Sequence, residues 1–228
     1  MPRVLIVGNS DGIGLGLTRR LLALGYTVSG VSRRPAPIDD ATYAHAVLDV
    51  ASTDYAEALA RFAAERGPFA ICVYCAGIGD AFDDGEIARA SDVMRVNLVG
   101  ATETAGVVLP PMLRAGAGHF VALSSIGDVT SAAAPSYGAS KAGLSAWLGG
   151  LALALRPRGV HVTNVRLGFV DTKMAKSPVR PRMISVDRAV AVVLECLAKK
   201  PARRTFPRAM QLLVTLVSIV TSFRLWFS

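Results

Sequence analysis

The chain has 228 residues, 52% hydrophobic and 18% charged, which excludes a disordered or low-complexity polypeptide and allows one well-filled domain. Net charge is +8, but aromatic residues make up only 7% and the basic residues gather at Arg33–Arg34, Lys173–Arg182 and Lys199–Arg208. That distribution argues against a nucleic-acid stripe and leaves nucleotide phosphates or an anionic lipid surface as targets.

The first predicted strand covers residues 3–7 and runs into Gly8-Asn-Ser-Asp-Gly12-Ile-Gly14, where a helix over 12–24 begins. A glycine-rich turn between a strand and a helix suits a pyrophosphate. The backbone can come close, and the helix N-terminus offers free N–H groups and a positive dipole end. Gly8, Asn9, Ser10, Asp11, Gly12, Ile13 and Gly14 are therefore candidate cofactor-binding residues. A second strand over 26–31 leads into Ser32-Arg33-Arg34. No acidic residue stands there to hold ribose hydroxyls, whereas two guanidiniums can clamp a 2′-phosphate, so NADP(H) is favoured over NAD(H).

Further strands are predicted at 44–47, 69–74, 118–124 and 160–166, with a short one near 204–206. Helical spacing occupies 52–66, 86–114, 136–156 and 186–199. This alternation predicts an α/β fold: a doubly wound, Rossmann-like parallel sheet of about seven strands, helices on both faces and a single domain. The ligand belongs at the carboxyl ends of the strands, at the switch point.

Cys72 and Cys75 form a C-x-x-C inside an apolar strand, where residues three apart point to opposite faces. With no second Cys or His cluster, metal and redox roles are not expected. No signal-peptide pattern follows Met1, so a reducing cytoplasm is expected. Residues 173–185 carry Pro178 and Pro181 and read as a loop or short lid. Lys173, Lys176, Arg180 and Arg182 make it either a solvated basic loop or a contact for an anionic substrate or acidic carrier.

Tyr137-Gly-Ala-Ser-Lys141 sets a phenol and an ammonium one helical turn apart on one face. A neighbouring ammonium is expected to lower the tyrosine pKa and make it a usable acid/base. The order Gly8/Gly12/Gly14, Cys75-Ala-Gly77, Asn97, Ser125 and Tyr137-x-x-x-Lys141 resembles the short-chain dehydrogenase/reductase family over about residues 3–206. The resemblance implies an enzyme that moves hydride between a nicotinamide cofactor and a carbonyl or secondary alcohol. Tyr137 then acts as general acid/base, Lys141 as its partner and ribose holder, and Ser125 as the group bonding the substrate oxygen. Asn97 bends a helix and completes a proton relay toward Lys141. A count of thirteen from serine to tyrosine points to Ser124, while the strand-end position favours Ser125.

The same resemblance implies that Leu48-Asp49-Val50 edges the adenine and that Cys75, Ala76 and Gly77 line the cofactor. It also sets Gly168, Val170 and Thr172 beside the nicotinamide carboxamide. Three departures stand out: Val7 where the family has Thr, Cys75 where it has Asn, and Leu167 where it has Pro. Family members commonly assemble as homodimers or homotetramers through the helices at 86–114 and 136–156. All of Ser125, Tyr137 and Lys141 are present, which weighs against a non-catalytic nucleotide sensor or scaffold on this fold.

The domain is expected to span 1–208, with 209–228 as an apolar, helical tail. The tail is too interrupted to span a bilayer. It completes the core or an interface, lies on a membrane surface, or lines the substrate cleft.

Overall fold

The computed structural model describes residues 2–79, 82–83, 85–174, 182–210, 214–215, 223 and 226. Seven strands form one sheet: β1 (Arg3–Val7), β2 (Thr27–Ser32), β3 (Tyr43–Val47), β4 (Ile71–Tyr74), β5 (Gly118–Ser125), β6 (Val160–Leu167) and β7 (Arg203–Phe206). The order is β3-β2-β1-β4-β5-β6-β7, and every pairing is parallel. The chain winds outward from β1 to β3, then returns to β4 and winds the other way. The switch point therefore lies between β1 and β4, and the turns that follow these two strands diverge there.

Helices α1 (Gly12–Ala23), α2 (Tyr55–Arg66), α3 (Glu86–Met94), α4 (Gly100–Ala115), α5 (Pro135–Leu155) and α6 (Val186–Lys199) cover the sheet. One face packs Tyr55 and Leu59 of α2, Val108 and Met112 of α4, and Leu144 and Leu148 of α5. The other packs Leu17 and Leu21 of α1 against Val190 and Val193 of α6. The central strands are buried on both sides, which is why they read as continuous apolar runs.

The expected elements appear with two differences. The helix expected over 86–114 is interrupted: Arg95–Val99 winds as a π-helix between α3 and α4. Asn97 sits in that widened turn and is fully buried, its side chain bonded to the loop after β4 and to α5. Residues 52–54 are turns and α2 begins at Tyr55. The lid residues 175–181, including Lys176 and Arg180, and most of the tail lie outside the described residues. Met210, at the start of the tail, is buried. Among the described residues no helix is long and apolar enough to cross a membrane.

At the opposite end of the sheet, His119 of β5 is 1% exposed. Thr163 donates to the Pro201 carbonyl and accepts from His119 Nε2 at 2.8 Å. Nδ1 of the ring has no hydrogen-bond partner among the described residues. Burial, with lesser help from His161 and Lys200, pushes His119 down to about 4. Between its ordinary value near 6.5 and about 4, the unfolded chain takes up a proton that the folded chain refuses. Stability therefore falls as pH drops through that window, by about 3 kcal/mol for this group. Thermal unfolding from pH 7 to 4 is expected to show His119→Gln recovering most of that loss relative to wild type. Parallel pH profiles for the two chains would contradict it.

Candidate active site

The first turn after β1 is shaped by close backbone approach. Gly8 adopts φ +86°, and an added Cβ there would meet the Ala76 backbone of the β4 loop. A Cβ at Gly14 would strike the Gly8 carbonyl. The turn thus keeps its main chain bare at the N-terminus of α1, a cradle that fits a dinucleotide pyrophosphate. Gly8 N donates to Val31 O at 2.7 Å and Cys75 N to Val7 O at 2.7 Å, which fixes the turn against β2 and β4.

Asp11 caps α1 through Gly12 N at 2.8 Å and pairs with Lys173 at 2.8 Å. The Lys173 bond, then the Gly12 N–H, hold the Asp11 carboxyl below its usual range. Ser10 and Ile13 are partly exposed, while Asn9 is fully buried. Arg33 and Arg34 are exposed just beyond buried Ser32. Asp49 is exposed and accepts from Ala51 N at 2.9 Å, and Val50 is buried. Past β6, Gly168 N donates to Phe206 O at 2.9 Å, and Val170 bridges Ile184. Thr172 lies against Gly12, where a Cβ would meet its methyl at 3.4 Å. The segment after β6 therefore faces the glycine-rich turn.

The polar cluster gathers between β4, β5 and α5. The Ser125 hydroxyl accepts from Gly127 N at 2.9 Å, and a Cβ on Gly127 would lie 3.3 Å from that hydroxyl and 3.9 Å from Cε1 of Tyr137, so the two side chains flank one spot. Lys141 Nζ is 5.8 Å from the centroid of the Tyr137 ring and donates to Leu123 O at 3.0 Å. A Cβ on Gly77 would lie 3.5 Å from that ammonium and 3.3 Å from Asn97 Oδ1. Asn97 Oδ1 accepts from Ile78 N at 2.8 Å. Its Nδ2 donates to Ile78 O at 2.8 Å and to Ser140 Oγ at 2.9 Å. With both amide hydrogens committed, the Asn97 side chain clasps the β4 loop to α5.

Lys141 is 4% exposed, and burial pushes its ammonium down to about 8. Tyr137 departs from the sequence expectation, because its phenol is raised. Burial disfavours the phenolate, the Ser125 hydrogen bond opposes that, and the Asp128 charge adds to it. Lys141 spends its contact on the Leu123 carbonyl instead.

Ser124 faces another way. Its hydroxyl bonds Ser145 Oγ at 2.8 Å and Lys141 O at 3.3 Å. Ser145 donates on to Asp128 Oδ2 at 2.6 Å, and Arg166 grips Asp128 with two nitrogens, Nε at 2.7 Å and Nη2. Arg166 is the register partner of Ser124, which sets this network directly behind the Ser125 turn. Sequence reasoning passed over Asp128, Arg166, Ser140 and Ser145. The available signal was Arg166, a charge inside a strand predicted to be buried, where burial demands a partner.

The C-x-x-C thiols lie on opposite faces, Cys72 in one core and Cys75 beside the other. Burial pushes Cys75 up to about 12 and Cys72 higher still, so both stay protonated. No metal-binding cluster occurs among the described residues.

A family profile described as short chain dehydrogenase matches residues 2–182. An uncharacterized oxidoreductase of Myxococcus xanthus is 30% identical over 219 residues, covering 89% of this chain and 86% of its own. A short-chain dehydrogenase structure from Streptomyces avermitilis superposes with TM-score 0.83 at 24% identity, covering 99% of this chain and 96% of its own. Another from Burkholderia cenocepacia, in complex with NADP, gives 0.82 at 24% identity, covering 94% and 91%.

The Asp128–Arg166 pair gives the site a measurable signature. Its side chains are 6% and 10% exposed, so removing one partner strands a buried charge. Arg166→Met is expected to cost about 3–5 kcal/mol in urea unfolding. Adding Asp128→Asn to it should restore a large part of that loss. A double variant no more stable than Arg166→Met would contradict the coupling.

Proposed function

The chain belongs to the short-chain dehydrogenase family, and from that premise we propose an NADP(H)-dependent oxidoreductase acting on a carbonyl or secondary alcohol. The observation that carries this reading is the convergence of Ser125, Tyr137 and Lys141 at the carboxyl ends of the strands, beside the bare glycine-rich turn. When bound, the nicotinamide cofactor supplies the hydride. The chain supplies position and a proton. Ser125 bonds the substrate oxygen, and Tyr137 gives that oxygen its proton during reduction and takes it back during oxidation. Lys141, an ammonium with a value of about 8, holds positive charge beneath the phenol and is within reach of a ribose. Asn97 positions the β4 loop against α5.

The pyrophosphate rests on residues 8–14, with Asp11 drawn toward Lys173 and so partly neutralised. Asp49 and Val50 edge the adenine. Cys75, Ala76 and Gly77 line the floor, and Gly168, Val170 and Thr172 meet the carboxamide. Ser32, Arg33 and Arg34 would take the 2′-phosphate, the two exposed guanidiniums and the lack of an acidic residue there being what favours NADP(H). A reducing cytoplasm is the compartment proposed for this activity. A homodimer or homotetramer would form through α4 and α5, where no described residue lies within 4 Å of a Cβ added at Gly106, Gly149 or Gly150. The apolar tail is assigned first to the core or such an interface and second to a membrane surface.

Tyr137→Phe should lower turnover by roughly 10²–10⁴-fold on any accepted carbonyl while leaving the NADPH Kd within about twofold. Arg33→Ala with Arg34→Ala should raise the NADPH Kd at least about tenfold and spare NADH. Calorimetry and absorbance at the nicotinamide band check both. Wild-type turnover in Tyr137→Phe would overturn the chemistry, and tighter binding of NADH would overturn the cofactor choice. Tight binding with no turnover across a carbonyl panel would favour the non-catalytic sensor.

A further inference from the structure

The edge strand β3 carries a polar pair with no part in the chemistry above. Tyr43 and His45 are two residues apart, so both side chains stand on one face. Asn9, fully buried in the glycine-rich turn, donates from Nδ2 to the Tyr43 hydroxyl at 2.6 Å. That bond has to cross β2, and it crosses at Gly30. A Cβ there would collide with the Asn9 amide and the Tyr43 hydroxyl. The Tyr43 oxygen lies 2.6 Å from His45 Nδ1. His45 Nε2 lies 3.4 Å from the Ser32 hydroxyl, whose own proton goes to the Arg34 carbonyl at 2.8 Å. His45 is therefore the donor at that end, which leaves Nδ1 to accept the Tyr43 proton. Ser32 closes the ring of contacts, its hydroxyl also lying 3.4 Å from Asn9 Oδ1.

The bonds thus run in one direction, from Asn9 to Tyr43, to His45, to Ser32 and on to the Arg34 carbonyl. Arg33 and Arg34 are exposed, and neither has an ion pair among the described residues. What holds the backbone that aims them is this relay together with Ser32. The adenine side is anchored separately, through Leu48 N to Ser32 O at 3.1 Å and the Asp49 turn. We propose that the Asn9–Tyr43–His45 relay presets the Ser32–Arg34 turn for a 2′-phosphate, making two β3 side chains determinants of cofactor choice, a step that rests on the NADP(H) reading above. The relay acts by positioning: Tyr43 and His45 hold the peptide that carries the guanidiniums, and pre-organisation lowers the ordering cost of binding.

The test uses the full chain and two probes that differ only in the 2′-phosphate, 2′,5′-ADP and ADP, titrated by calorimetry. Wild type is expected to prefer 2′,5′-ADP. Tyr43→Phe keeps the ring and removes the hydroxyl, and His45→Gln keeps a donor but breaks the directed path. Each should cut the preference for 2′,5′-ADP by about five- to tenfold, the size of one hydrogen bond, with the ADP Kd within about twofold. Gly30→Ala, which pushes Asn9 away from Tyr43, should act in the same direction. Equal weakening of both probes would mean that the pair merely supports the fold and would overturn the proposal, as would an unchanged preference in folded variants. A wild-type chain with no preference for 2′,5′-ADP would overturn the NADP(H) reading itself and the proposal with it. That outcome is distinct because it needs no variant.

Discussion

A buried ammonium sets the terms for the rest of this molecule. Lys141 is almost wholly removed from water, and an unpaired charge in that position is costly. The fold answers with the Leu123 carbonyl at 3.0 Å, which requires β5 to run to Ser125 and α5 to lie close over its end. The small residues of α5 permit that approach: Gly138, Ser140 and Ser145 are buried where larger side chains would lift the helix. The partial desolvation that remains holds Lys141 near neutrality, at about 8. A group with that value exchanges its proton readily under ordinary conditions, which an ordinary lysine does not.

Around this charge, three polar networks each hold one loop at the carboxyl edge of the sheet. Asn97 ties the β4 loop to α5 from within a π-helical turn. Asp128 and Arg166, with Ser145 and Ser124, brace the turn after β5. Asn9, Tyr43 and His45 brace the turn after β2. Satisfied networks of this kind fix a unique arrangement, because any slip strands a buried polar group. The glycine-rich turn lies among the loops so held, its close backbone approach kept by Gly8 and Gly14 and its Gly12 N–H capped by Asp11.

Much of the architecture was legible in the chain. Apolar runs marked the central strands, and helical spacing marked what lies between them, because burial on both faces favours apolar residues. The interruption at Arg95–Val99 was not legible from spacing, since the π turn preserves helical spacing to within a residue; only the family resemblance pointed to a bend at Asn97. Tyr137 and Lys141 were legible as one helical face. The direction of the tyrosine shift was not, because spacing says nothing of burial or of where the ammonium spends its contact. Ser124 and Ser125 are adjacent in sequence, and only the packing of α5 separates their hydroxyls, one to Ser145 and one to Tyr137. Tyr43 and His45 gave no signal, since their partner is thirty-odd residues away and reaches them only because Gly30 lacks a side chain.

The most direct measurement is the titration of Lys141 in the intact protein, by NMR of lysines labelled at Cε. Its resonance is identified by its absence in Lys141→Met. A midpoint near 8 is the predicted result. A midpoint at the ordinary value of about 10.4 would mean that the ammonium is solvated. The packing of α5 over β5 would then be wrong, and with it the geometry that gives Tyr137 and Ser125 their roles.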